Sequence, residues 1–319
     1  MSAPLRIAAL SAWHVHAEEY AREAQKHPDT ELVAVWDEDV ERGRALAESL
    51  EVPFTGDLDQ LLAREDLDGV TVTTATTAHR DVIGRVIAAG KHVFTEKLLA
   101  PTVEEGEELL ASARAQGVRV TVSLPRLAHG YTLALQRMLT EETLGRITYS
   151  RVRLAHNGSV ADWLPARFYD PAEAIGGAFS DLAAHPAYLT QLILGTDLRV
   201  RSATYTDMTG RGVEDNAVVT VTSTDGAIGV IETGFVTPTS PFSIEIQGTT
   251  GSLQYGLGAG GGMSVDVGNG PVAVEVPADA ANPFAQWVAS IRSGEDTTEN
   301  LERAQALTAL VVAANAAAA

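Results

Sequence analysis

The chain is 319 residues long, 45% hydrophobic and 20% charged, about two domains' worth of ordinary globular sequence and enough to bury a sizeable core. Its 23 basic and 42 acidic side chains leave a net charge of −19, a field that repels phosphate backbones and anionic lipid, so no nucleic-acid or membrane partner is expected. The absence of cysteine excludes a disulfide framework, a thiolate nucleophile and a zinc–thiolate site.

The N-terminal stretch Met1–Arg6 runs into an apolar segment that ends at Ser11, too short for an export signal, and a cytoplasmic location is expected. From residue 5 to 124 strand-like segments (Leu5–Leu10, Leu32–Trp36, Val70–Thr74, His92–Thr95, Arg119–Ser123) alternate with helical patterns near 16–26, 39–50, 79–89 and 103–116. The strands are near-continuous apolar runs, as in a parallel sheet covered on both faces, so residues 1–124 read as a doubly wound nucleotide-binding domain of an α/β protein.

A dinucleotide fingerprint belongs after the first strand, where glycines let backbone approach a pyrophosphate. Here the turn is Ser11-Ala12-Trp13-His14-Val15-His16, and Ser11, Trp13 and His16 stand at the three glycine positions. Any cofactor contact in this turn therefore falls to Ser11, Trp13, His14 and Val15. Asp37, closing the second strand, is placed either to accept a hydrogen bond from an adenosine ribose or to cap the following helix, and Glu38 beside it would repel a 2′-phosphate. That pair favours NAD over NADP. His14-x-His16 has no third ligand nearby in sequence, so no metal is expected.

Lys97 is one of only three lysines and follows the fourth strand in Thr95-Glu96-Lys97, at the end of a parallel strand where open sheets bind ligands. It reads either as a surface lysine or as the donor that holds a reacting oxygen.

Residues 125–319 carry longer, alternating strands (Ile147–Ala155, Leu198–Tyr205, Ala217–Ser223, Ile228–Gly234, Phe242–Gln247), an antiparallel pattern with Asp225-Gly226 as a hairpin signal. The glycine run Gly256–Gly262 opens no helix and reads as a loop. Helices are expected at 179–194, 284–293 and 299–316; the apolar tail Ala309–Ala319 is shorter than the roughly 18 residues of a membrane span. On one helix Asp181 and His185 would share a face one turn apart, either as a surface ion pair or as a carboxylate-oriented general base. Gly176-Gly177 and the apolar face of Phe179, Leu182 and Pro186 argue that this helix is buried.

Two motifs carry a family resemblance. Ala89–Ala100 (A-G-K-H-V-F-T-E-K-L-L-A) resembles the A-G-K-H-V-x-x-E-K-P-L-A signature of the glucose-fructose oxidoreductase, inositol dehydrogenase and rhizopine-catabolism (Gfo/Idh/MocA) family, and Gly176–His185 resembles its G-G-G-A-L-x-D-x-x-x-H signature. With the domain order, the resemblance spans essentially the whole chain. It implies an N-terminal Rossmann domain, a C-terminal α/β domain with a large open, mainly antiparallel sheet for substrate binding and oligomerisation, and nicotinamide-dependent oxidoreduction of sugars or cyclitols. The C-terminal helices could pack back on the first domain. By resemblance Lys97, Asp181 and His185 match the catalytic trio; Thr74, Thr76 and His79 match the cofactor loop after the family's fourth strand; and Glu96 with Lys97 is also expected to contact the cofactor. Arg126 matches an arginine after its sixth strand, and Trp163 with Arg167 matches a Trp-Arg element near the nicotinamide. Leu98 stands in place of the family's proline, and the glycine fingerprint is absent.

Arg153, His156, Asn157, Asp162 and Arg167 form a polar set suited to a hydroxyl-rich substrate alongside Trp163, Lys97, Asp181 and His185. The leading expectation is an NAD-dependent dehydrogenase or reductase acting on a sugar, sugar acid or cyclitol, with His185 as acid/base. The alternatives are a non-catalytic binding protein of the same fold and a glycoside-cleaving enzyme that recycles bound NAD. A homodimer or homotetramer is expected.

Overall fold

The computed structural model describes residues 3–239, 242–257 and 260–318. Two compact units emerge, one of Met1–Ser123 with Ala281–Gln305, the other of Leu124–Ala280 with Ala306–Ala319. In the first, β1 (Leu5–Leu10), α1 (Ala17–Lys26), β2 (Thr30–Trp36), α2 (Val40–Leu50), α3 (Leu58–Leu62), β3 (Gly69–Val72), α4 (His79–Ala88), β4 (His92–Thr95), α5 (Val103–Gln116) and β5 (Val120–Val122) alternate. The second holds α6 (Gly130–Thr140), β6 (Ile147–Ala155), α7 (Ala178–Asp181), α8 (Ala184–Leu194), β7 (Arg199–Thr206), β8 (Asn216–Thr222), β9 (Ile228–Gly234), β10 (Ser243–Gly248), β11 (Ser252–Tyr255), β12 (Met263–Asp266) and β13 (Val272–Ala273). Helices α9 (Pro283–Ser293) and α10 (Thr298–Ala318) end the chain.

The first sheet is parallel with order β2-β1-β3-β4-β5. Strand order reverses between β1 and β3, so their carboxyl ends make the crevice in which open α/β sheets take ligands. Both faces are covered, and β3 is buried throughout. Helix α9 belongs to this core: Phe284 and Trp287 pack on Phe94 with ring centroids 5.5 and 5.9 Å away. The open edge is closed by Asn300, whose side chain accepts from Val122 N–H and donates to Val122 C=O, both at 2.9 Å.

The second sheet has eight strands in the order β13-β12-β11-β10-β6-β9-β8-β7, antiparallel apart from β6–β9. Asp225-Gly226 does turn β8 into β9, with Gly226 at φ 91°. Sequence patterning misses α3, α6 and the short strands β11–β13. The expected Gly256–Gly262 loop joins β11 to β12; its Gly258 and Ala259, like Met1 and Ser2 of the N-terminal stretch, lie outside the described residues.

The single helix expected over 179–194 is two helices, α7 and α8. Pro186 is the reason: it has no N–H for the Leu182 carbonyl, and its ring would collide with that carbonyl in a continuous helix. Asp181 therefore ends one helix and His185 lies in the first turn of the next. Leu182 (φ −79°, ψ −38°) and Ala183 (φ −68°, ψ −12°) between them keep right-handed helical angles.

Candidate functional site

In the first unit Ser11, Asp37, Thr74 and Lys97 follow β1, β2, β3 and β4 and gather at the carboxyl edge of the sheet. Ser11 adopts φ 72°, the left-handed conformation that glycine fills at least cost. The sharp turn after β1 is thus made without glycine. Ser11 Oγ accepts the Trp13 N–H at 3.1 Å and donates to Glu38 Oε1 at 3.0 Å, locking the turn to the end of β2. Trp13 and His14 are buried, Val15 is exposed, and α1 begins directly after His16.

Asp37 is 1% exposed and spends its carboxylate inside the protein. Oδ2 accepts from Ala12 N–H at 2.7 Å and Arg42 Nε at 2.9 Å; Oδ1 accepts from Asp39 N–H at 2.8 Å and Arg42 Nη2 at 2.6 Å. Four donors saturate a carboxylate. The helix-capping alternative also falls elsewhere, since Asp39 is the residue that caps α2. Of the two acids it is Glu38, with a side chain 42% exposed and paired with Arg42 at 2.6 Å, that reaches solvent.

Lys97 is buried, its ammonium 3.0 Å from Glu96 Oε1. Glu96 Oε2 takes His16 Nδ1 at 3.1 Å and the Tyr20 hydroxyl, which also lies 2.8 Å from Ser123 Oγ. Burial pushes the Glu96 carboxyl up, but Lys97, His14 and His16 outweigh it and hold the group well below the usual carboxylate range. The same carboxylate raises the Tyr20 phenol, adding to the effect of burial. The Lys97–Leu98 peptide is cis.

His79 faces this loop rather than solvent. Its Nδ1 donates to Leu98 C=O at 2.8 Å and lies 3.2 Å from Leu99 C=O, so it braces the segment after Lys97. Burial holds its pKa below the ordinary imidazole value. A depressed folded pKa means stability that is complete above the unfolded value, about 6.5, and is lost as pH falls. His92 and His156, also depressed by burial, act in the same direction. The raised carboxyls of Glu23, Glu38 and Glu214 act oppositely, so the role of His79 is read by difference: going from pH 7 to pH 5 should cost His79→Asn less melting temperature than the parent chain, and identical pH profiles in calorimetry would rule out this role. Thr76 opens a single 3-10 turn ahead of α4, and the buried Thr74 Oγ1 has no hydrogen-bond partner among the described residues.

These features fit a dinucleotide at the sheet edge: a left-handed residue making the first turn, an unsatisfied hydroxyl after β3 and a half-exposed carboxylate after β2.

In the second unit His185 Nδ1 lies 2.9 Å from the Tyr188 hydroxyl, which accepts the Arg126 N–H at 3.0 Å. The Arg126 guanidinium donates to Tyr131 Oη at 3.2 Å and sits 4.2 Å above the Phe242 ring. Asp181 is close enough to His156 to oppose the burial that lowers that imidazole's pKa. Helix α7 is anchored by Glu214, whose carboxylate accepts Gly177 N–H at 2.8 Å and Phe179 N–H at 2.9 Å; burial raises its pKa against these bonds. A Cβ on Gly177 would overlap the Glu214 carbonyl. We expect Gly177→Ala to cost about 1–3 kcal/mol in urea unfolding.

The expected substrate residues divide. His156 stacks on Phe235 at 4.7 Å and 5°, and stands 4.7 Å from the half-exposed Trp163, whose indole N–H donates to Asn157 at 3.0 Å. Arg153 pairs with Glu232 at 3.3 Å, Asp162 with Arg211 at 2.8 Å, and Arg167 lies 6.0 Å from the Phe168 ring. Sequence reasoning missed Tyr20, Tyr188 and Glu214. Tyr188 was within reach, three positions after His185 on a helix; Glu214 carries no local signal.

Residues 14–124 match the family model described as GFO/IDH/MocA oxidoreductase, NAD-binding Rossmann fold, and residues 132–254 match the GFO/IDH/MocA C-terminal domain. The chain is 28% identical to a 1,5-anhydro-D-fructose reductase of Ensifer adhaerens over 82% of this chain and 80% of the relative. A dTDP-3,4-didehydro-2,6-dideoxy-alpha-D-glucose 3-reductase of Streptomyces violaceoruber is 30% identical over 59% of this chain and 54% of its own length. Among solved structures, GenD2 from gentamicin A biosynthesis in complex with NAD superposes with a TM-score of 0.84 at 26% identity, covering 100% of this chain and 95% of that one. KijD10, a 3-ketoreductase from Actinomadura kijaniata in complex with NADP and TDP-benzene, has the same fold, with a TM-score of 0.85, 22% identity and 98% of each chain covered.

Proposed function

The chain belongs to the Gfo/Idh/MocA oxidoreductase family, and from that premise we propose that it moves a hydride between a nicotinamide cofactor and a hydroxyl-bearing or keto carbon of a sugar, sugar acid or cyclitol. The observation that carries this reading is Lys97, an ammonium buried at the carboxyl end of β4 and charge-balanced by Glu96. When bound, the nicotinamide supplies or accepts the hydride. Lys97 donates a hydrogen bond to the substrate oxygen, which stabilises the negative charge developing there. His185 moves the accompanying proton, its ring oriented by the Tyr188 hydroxyl at Nδ1. Asp181 supports the imidazolium formed in the oxidation direction. Trp163 offers a half-exposed apolar face to a sugar ring, with His156 beside it.

Ser11, Thr74 and Glu38 are the residues we assign to the dinucleotide, together with Trp13, His14, Val15, Thr76 and Arg126. Glu38 takes the ribose role first given to Asp37, whose carboxylate is saturated. Two acids at the end of β2 disfavour a 2′-phosphate, so NAD⁺ should bind at least about tenfold more tightly than NADP⁺, a difference of about 1.4 kcal/mol. Calorimetry with all four dinucleotides tests this, and Glu38→Ser should narrow the gap; tighter NADP⁺ binding would transfer the determinant to Arg42. Net NADH consumption with a keto-sugar distinguishes a reductase from a glycoside-cleaving enzyme that returns its hydride within each turnover.

A further inference from the structure

His14 and His16, in the turn after β1, and Glu96, at the end of β4, each offer one ligand atom, and the three atoms lie within 4.8 Å of one another. The histidine pair alone gave no expectation of a metal, because its third ligand is 80 residues away in sequence. Folding removes that separation: His16 Nδ1 is 3.1 Å from Glu96 Oε2, and the two imidazoles meet edge to face with centroids 4.7 Å apart.

We propose that His14, His16 and Glu96 form a site for a divalent transition ion of the Zn²⁺ class. Two imidazoles and a carboxylate are a borderline-soft set that suits Zn²⁺ or Co²⁺ and disfavours Ca²⁺ and Mg²⁺, which take mainly oxygen. A tetrahedral ion with bonds of about 2.0–2.2 Å holds its ligands roughly 3.3–3.6 Å apart, so the widest pair here must close by about an ångström. His16, whose side chain is 33% exposed, has the freedom to supply that movement. The carboxylate is already oriented: Lys97 holds Oε1 at 3.0 Å, and Tyr20, itself 2.8 Å from Ser123 Oγ, bonds Oε2. Among the interactions the ion must displace are the 3.1 Å bond between His16 Nδ1 and Glu96 Oε2 and, for an ion at His14 Nδ1, the 3.2 Å bond that this nitrogen accepts from His16 N–H. Three protein ligands leave a fourth position for water or another donor. The site shares His14 with the proposed dinucleotide site and Glu96 with Lys97, and metal uptake is read without cofactor or turnover, so its failure is distinguishable from failure of the hydride-transfer reading.

The test uses the full chain stripped with a chelator and then titrated with Co²⁺ and Zn²⁺. The expected result is one equivalent of Co²⁺ giving the intense visible absorption of a four-coordinate ion, displaced by Zn²⁺. His16→Asn should weaken Zn²⁺ binding at least about 100-fold, and Tyr20→Phe about 10-fold, by loosening Glu96. Because a variant could misfold, thermal melting of each metal-free protein is compared with and without Zn²⁺: the ion should raise the melting temperature of the parent chain and not that of His16→Asn. No uptake by the parent chain at millimolar ion, or equal affinity in a folded His16→Asn, would overturn the proposal.

Discussion

Alanine at His185 or at Lys97 is expected to lower kcat by about 10²–10⁴-fold while leaving the dinucleotide Kd within a few-fold. In the proposed mechanism each residue acts on the reacting oxygen, and the cofactor is held by other groups. Loss of His185 removes the proton carrier, so exogenous imidazole should restore part of its rate. Loss of Lys97 removes the charge that meets the developing alkoxide. Tyr188→Phe keeps the ring and removes the hydroxyl, which also accepts the Arg126 N–H, so cofactor Kd is measured alongside. It deletes the hydroxyl 2.9 Å from His185 Nδ1, so the pH profile of kcat should move while substrate KM stays near its original value. Steady-state kinetics with calorimetric cofactor binding checks all three variants. Unchanged turnover in both alanine variants would dismiss the assigned chemistry.

The second large effect is on stability. Glu96→Ala, in chelator-treated protein at pH 7, is expected to cost about 3–5 kcal/mol by urea unfolding. Lys97 and Glu96 side chains are 2% and 3% exposed, so truncating the acid leaves a buried ammonium without its counter-charge and removes the acceptor of Tyr20 and His16. Lys97→Met, which removes the buried charge, should recover much of that loss in the double variant, because an apolar side chain of similar length carries no desolvation penalty. An exposed pair such as Arg80–Glu108, 57% and 61% exposed, is the control and should change stability little. A cost below about 1 kcal/mol for Glu96→Ala would mean that water reaches Lys97 once the acid is gone.

Much of the architecture is local physics and can be read from the chain. Apolar runs such as Leu5–Leu10 and His92–Thr95 bury both faces of a parallel strand, whereas Ile147–Ala155 alternates; the observed bounds of all three match those read from sequence. Patterning fails where a segment is short or polar, as in β11–β13, and where one residue vetoes a helix, as Pro186 divides α7 from α8. The motif at Ala89–Ala100 directed attention to Lys97 and Glu96, and composition alone disposed of cysteine chemistry.

The partners of the site residues were settled only by tertiary structure. By sequence Asp37 fits a ribose acceptor or a helix cap, and in the fold Ala12, Asp39 and Arg42 saturate it; His79, a cofactor-loop residue by resemblance, braces the Leu98 and Leu99 carbonyls. Tyr188 stands at His185 Nδ1, and Glu214, 37 residues from Gly177, anchors the helix that carries Asp181. Period and propensity act over a few neighbouring residues, so the chain by itself determined its strands, helices and candidate chemical groups. Hydrogen bonds and charge pairs join atoms a few ångströms apart whatever their separation in sequence, so only the fold could decide which donor each carboxylate holds and that His14, His16 and Glu96 meet beside Lys97.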